Sequence, residues 1–82
     1  MNAILTGQFI SRVRMEKGMT QKELAQKVGV TDKAVSKWET GRGMPDISSL
    51  DALCNALDVS VNELLSGEVY LLNFMRKRRR KI

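Results

Sequence analysis

Eighty-two residues, 43% of them hydrophobic, suffice for one compact core and little more, because a chain this short buries only about 60% of its unfolded surface. A single cysteine, Cys54, and no histidine exclude a disulfide framework and argue against a zinc site, so neither metal nor cofactor is expected. The net charge of +5 is unevenly placed: residues 1–43 hold eight bases and four acids, residues 44–75 five acids and no base, and residues 76–82 six bases and no acid. A concentrated positive front of this kind suits a polyanionic partner.

The elements follow from caps and stops. Phe9, Ile10 and Val13 share one face of a first helix over about residues 6–17, which Gly18 ends. Thr-Gln-Lys-Glu from Thr20 to Glu23 is a capping box, and it opens a second helix with a buried stripe of Leu24, Ala25 and Val28. Gly29 stops that helix in a tight turn. Thr31 caps a third helix over about residues 32–40, closed by Gly41. Pro45 blocks backward propagation of a fourth helix, for which Asp46 is the expected cap. That helix, about residues 47–57, should bury Ile47, Leu50, Leu53, Cys54 and Leu57. A second capping box, Ser60 to Glu63, starts a short fifth helix with Leu64 and Leu65, ended by Gly67. No stretch alternates with period two, so the fold expected is all-α.

Only Gly29, Val30 and Thr31 join helices two and three, and a short glycine-containing turn between capped helices is a helix-turn-helix unit. The second helix of such a unit must stand clear of the core to enter a major groove about 12 Å wide. At about 100° per residue from Val35, the residues Trp38, Thr31 and Glu39 fall within about 60°, on the core side. Lys33, Ser36, Lys37 and Thr40 fall about 100° or more away, making a polar and basic outer face. A carboxylate on the core side, such as that of Glu39, would be costly alone and calls for a partner.

The run Met19-Thr-Gln-Lys-Glu-Leu-Ala-Gln-Lys-Val-Gly-Val-Thr-Asp-Lys-Ala-Val-Ser-Lys-Trp-Glu-Thr-Gly41 closely resembles the Cro and phage-repressor-like helix-turn-helix family. Pro45-Asp-Ile47 and Val59-Ser-Val-Asn-Glu-Leu-Leu65 extend the likeness over roughly residues 6–66. The resemblance implies a five-helix, lambda-repressor-like all-α domain over residues 1–67. It implies a transcriptional regulator, a repressor above all, that forms a homodimer on an inverted-repeat operator of double-stranded DNA. By position, Gln21 matches a residue that holds a DNA phosphate. Thr31, Asp32, Lys33, Ser36 and Lys37 match positions that face bases and nearby phosphates, and Arg42 matches a loop that touches the backbone. Arg14 and Glu39 match a structural ion pair between helices one and three. Asp32 departs from a phosphate-seeking pattern. It could accept from a cytosine amino group or stabilise the helix N-terminus.

Residues 68–82 form an apolar and then basic tail beyond the resemblance. Residues 69–75 could join a dimer interface or cover the domain's own core, and residues 76–81 could meet DNA phosphate, RNA or an acidic membrane surface. No apolar run approaches the ~20 residues of a membrane span and no signal-peptide pattern is visible, so a cytoplasmic protein is expected. The chain has no histidine, no evident carboxylate pair and no glycine-rich phosphate loop, which argues against an enzyme. Antitoxins of toxin–antitoxin pairs share this fold, which keeps a toxin partner open as the alternative.

Overall fold

The computed structural model describes residues 2–66, and the expectations for residues 67–82 lie outside them. Five α-helices are found among the described residues and no strand: α1 (Ala3–Glu16), α2 (Gln21–Val28), α3 (Asp32–Glu39), α4 (Ile47–Leu57) and α5 (Val61–Leu65). α3 packs on both α1 and α2, α2 also packs on α4, and α5 closes the core against α1 and α4. Phe9, Ile10, Leu24, Val35, Leu53, Leu57 and Leu64 are fully buried there, with Val13, Ala25, Trp38 and Cys54 beside them. Burial pushes the Cys54 thiol pKa up, keeping it a small apolar filler.

The helix ends follow local chemistry. Thr20 Oγ1 accepts from the Glu23 N–H at 3.0 Å and Glu23 Oε1 accepts from the Thr20 N–H at 2.8 Å, so two otherwise orphaned donors are satisfied. These bonds from Thr20 hold the Glu23 carboxyl pKa below its ordinary value. Ser60 and Glu63 repeat the box at 2.9 and 3.0 Å. Gly29 leaves α2 at φ 84°, a left-handed conformation that glycine adopts without penalty.

Several sequence expectations need correction. α1 starts at Ala3 rather than near residue 6, because Asn2 Oδ1 caps it by accepting from the N–H groups of Ile4 and Leu5. Asp46 stands at the N-cap of α4 but makes no cap bond; its carboxylate accepts from the Ser48 hydroxyl at 2.9 Å instead. Hydrogen bonds from Ser49 and Ser48 lower its pKa. Ile47, expected in the core stripe, is 88% exposed, and Leu65 is 41% exposed. Both lie at the ends of short helices, where the stripe runs past the core it was drawn to cover. Val28 and Leu50 are half-buried. Asp58, not glycine, ends α4 in the left-handed region at φ 56°, a region aspartate tolerates better than most residues.

Gly7 explains how closely α1 approaches α3. A Cβ at Gly7 would collide with the Trp38 carbonyl oxygen and lie 3.1 Å from the Glu39 carbonyl carbon. These are backbone atoms at the end of α3, so a side chain cannot simply rotate out of the way. Gly7→Ala is therefore expected to destabilise the domain by about 1–3 kcal/mol, although alanine favours an isolated helix. A thermal melt should show Tm lower by roughly 5 °C or more. An unchanged or higher Tm would mean that α1 can draw back from α3 without cost.

Candidate nucleic-acid interface

α3 is held from behind and open in front. On its inner side Val35 and Trp38 enter the core. Beside them the Glu39 carboxylate, 5% exposed, meets the Arg14 guanidinium, 13% exposed, in a two-point contact. Arg14 Nε donates to Glu39 Oε2 at 2.7 Å and Nη2 donates to Oε1 at 3.1 Å. Arg14 Nη1 also donates to the Met19 carbonyl at 2.7 Å, tying in the loop before α2. A planar guanidinium facing a carboxylate in this way fixes geometry as well as charge.

Gln21, the first residue of α2, belongs to the same cluster. Its Nε2 donates to Glu39 Oε1 at 3.0 Å. Sequence reasoning assigned Gln21 outward only and missed this inward bond. The structure shows one amide N–H engaged with Glu39; glutamine has a second one to offer.

The other residues fall as follows. Thr31 was placed on the core side by the helical wheel, yet it is exposed. It lies outside the helix at φ −83° and ψ 157°, where the wheel does not apply, and its Oγ1 caps α3 by accepting from the Ala34 N–H at 3.2 Å. Asp32 is exposed in the first turn, where the helix N-terminus favours a carboxylate. Lys33 and Lys37 are exposed and Ser36 is half-buried, on the face turned from Val35 and Trp38. Thr40 is the C-cap of α3, and its hydroxyl donates to the Ser36 carbonyl at 2.8 Å. Arg42 is exposed just beyond, its Nε 3.2 Å from Thr40 Oγ1.

The arrangement presents donors and cations on the outer face of a short helix whose inner face enters the core, beside the N-terminus of a second helix joined to it by a three-residue turn. A helix-turn-helix family profile matches residues 10–64, most of the chain. The chain belongs to the Cro and phage-repressor-like helix-turn-helix family. Among curated relatives it is 41% identical over 59 residues to the HTH-type transcriptional activator BcrR of Enterococcus faecalis, covering 72% of this chain and 29% of that protein. It is 36% identical over 73 residues to repressor protein C2 of Salmonella phage P22, covering 89% of this chain and 34% of that one. The chain thus spans about a third or less of the length of both. Among solved structures, the P22 c2 repressor bound to a synthetic operator superposes with a TM-score of 0.74 at 35% identity, covering 76% of this chain and 94% of that one. SinR in complex with DNA gives 0.69 at 41% identity, covering 73% and 97%. These neighbours share the all-α, repressor-like fold of the family.

The depth of the ion pair sets its mutational cost. Arg14→Met would leave the Glu39 carboxylate buried with only Gln21 as partner, at an expected cost of about 3–5 kcal/mol. Glu39→Gln removes the charge and can still accept from Arg14, so a smaller loss is expected. Thermal melts of both variants and of the double variant should show a combined loss well short of additive. Additive losses would mean that the two side chains do not stabilise one another.

Proposed function

We propose that this protein binds double-stranded DNA sequence-specifically as a transcriptional regulator, with α3 lying in the major groove. The observation that carries this reading is the two-sided character of α3. Its inner side is fixed by Val35, Trp38 and the Arg14–Glu39 pair, while Lys33 and Lys37 stand free on the outer side with Ser36 between them. Family relatives solved as DNA complexes, P22 c2 and SinR, support it. The C2 protein of phage P22 and the immunity repressor of Bacillus phage phi105 favour repression, whereas BcrR is named an activator.

Each residue takes a role its position allows. Lys33 and Lys37 reach base edges or the adjoining phosphates, and Ser36 can donate or accept beside them. Thr31 and Asp32 edge the entering end of α3, with Asp32 chiefly stabilising the helix terminus. Gln21 and the N-terminus of α2 offer donors to a phosphate. None of the helices among the described residues is long and apolar enough to cross a membrane. We place the working protein in the cytoplasm with the DNA it reads.

Lys33→Ala and Lys37→Ala should weaken operator binding while leaving the melting curve in place, since both side chains point away from the core. A lysine that reads guanine should cost about 1–3 kcal/mol, confined to one base position. A lysine on phosphate should cost the same on every duplex. Quantitative gel shifts on a selected site and on an unrelated duplex separate the cases, and unchanged affinity of the double variant would remove α3 from the groove.

One short helix reads too few bases to single out a site among about a million or more competitors, so we propose a homodimer. Two α3 helices on one face of the duplex must lie one helical turn apart, about 34 Å. Selection from random duplexes should therefore yield an inverted repeat with half-sites about 10 base pairs apart, centre to centre. Asymmetric selected sites bound by one subunit would overturn the dimer.

A further inference from the structure

The corner that follows α3 is built more firmly than a surface loop requires. The Gly41 N–H donates to the Trp38 carbonyl at 3.2 Å and the Arg42 N–H to the Lys37 carbonyl at 2.9 Å, with Gly41 at φ 75°. This is the Schellman pattern, and it fixes the backbone of Arg42 relative to the helix axis. Ile4 of α1 presses on the same corner: a Cβ at Gly41 would lie 2.7 Å from Ile4 Cγ1. Ile4 leaves Gly41 no room for a side chain, and its φ disfavours one as well.

Within this corner the Thr40 hydroxyl has its proton assigned. It donates to the Ser36 carbonyl at 2.8 Å, with the Lys37 carbonyl also within 3.3 Å. A hydroxyl has one proton and two lone pairs, so toward its other neighbour Thr40 can only accept. That neighbour is Arg42 Nε at 3.2 Å. The helix carbonyls hold Thr40, Thr40 holds Nε, and the partial negative charge at the C-terminus of α3 favours a cation there. Arg42 takes part in none of the ion pairs among the described residues, so both Nη groups of its fork remain available to an outside anion.

We propose that Thr40 is a positioning residue, setting the Arg42 guanidinium as a ready-made phosphate clasp at the trailing end of the reading helix. The proposal rests on the DNA-binding reading above and replaces the expectation that Thr40 itself faces DNA. A guanidinium held at its backbone and at Nε loses less freedom on meeting a phosphate than one on an untethered stem. The clasp is blind to sequence, because a phosphate carries no base identity.

The test uses the full chain and two duplexes, a selected site and an unrelated one, titrated over a range of salt concentrations. Arg42→Ala should weaken binding to both by a similar factor and make the slope of log affinity against log salt shallower by about 0.9. Thr40→Val keeps the shape and removes the hydroxyl; it should weaken binding to both duplexes about threefold to tenfold. Thr40→Ser should restore the original affinity. In an Arg42→Ala background, Thr40→Val should cost nothing further. Thr40→Val that costs as much without Arg42 as with it would overturn the proposal, since Thr40 would then touch DNA itself or act only on the shape of α3. No loss in either background would overturn it too. Failure of the unaltered protein to bind any duplex would overturn the DNA-binding reading and the clasp with it, an outcome distinct from both.

Discussion

Glu39 sits where an unpaired carboxylate would be costly, and the Arg14 guanidinium answers it at two points. The same Arg14 reaches the Met19 carbonyl and the same Glu39 receives Gln21, so one buried charge pair joins α1, the loop before α2, the start of α2 and the end of α3. Apolar contacts hold these helices together but are non-directional and would permit small rotations. The hydrogen-bonded pair does not: Arg14 Nε, Nη1 and Nη2 each donate to a defined acceptor at 2.7–3.1 Å. The orientation of α3, and with it the aim of Lys33 and Lys37, depends on that constraint.

Gly7 lets the pair form. The helices come this near beside the Arg14–Glu39 pair because position 7 carries no side chain against the last turn of α3. A missing Cβ and a buried ion pair are two halves of one joint, one permitting the close approach and the other directing it. The electrostatics of the surface then follow from chain layout. Among the described residues the bases lie in α1, α2, α3 and the segments that follow them, whereas the only charged side chains of α4 and α5 are the acids Asp51 and Glu63.

Much of this was legible in the sequence, and the reasons differ by residue. Thr20, Glu23, Ser60 and Glu63 announce their caps because a capping box is a local device needing only four residues. Glu39 showed itself as a charge on an apolar face, and Arg14 was found for it by family resemblance. Other features depend on what lies across space. Gly7 carries no local signal of its role, which depends on the Trp38 and Glu39 backbone lying against it. Ile47 satisfies the apolar spacing of α4, yet the core ends before reaching it. Gln21 looks outward by position and is partly turned inward by a carboxylate eighteen residues away in the chain. Thr31 shows the limit of the helical wheel, which assumes helical backbone at a residue that caps the helix from outside it.

The contact between Gly7 and the end of α3 bears on motion as well as position. Local opening in small domains is cheapest where few buried contacts must break. α3 is only eight residues long and would be expected to fray, but its last turn lies against the backbone of α1 and its final carboxylate is locked into the joint. The hydrogen-bonded amide protons in the last turn of α3 should therefore exchange with solvent on the timescale of whole-domain unfolding rather than of local opening. A backbone held that way has little conformational freedom left to lose, so any ordering on contact with another molecule falls on the exposed side chains of Lys33 and Lys37.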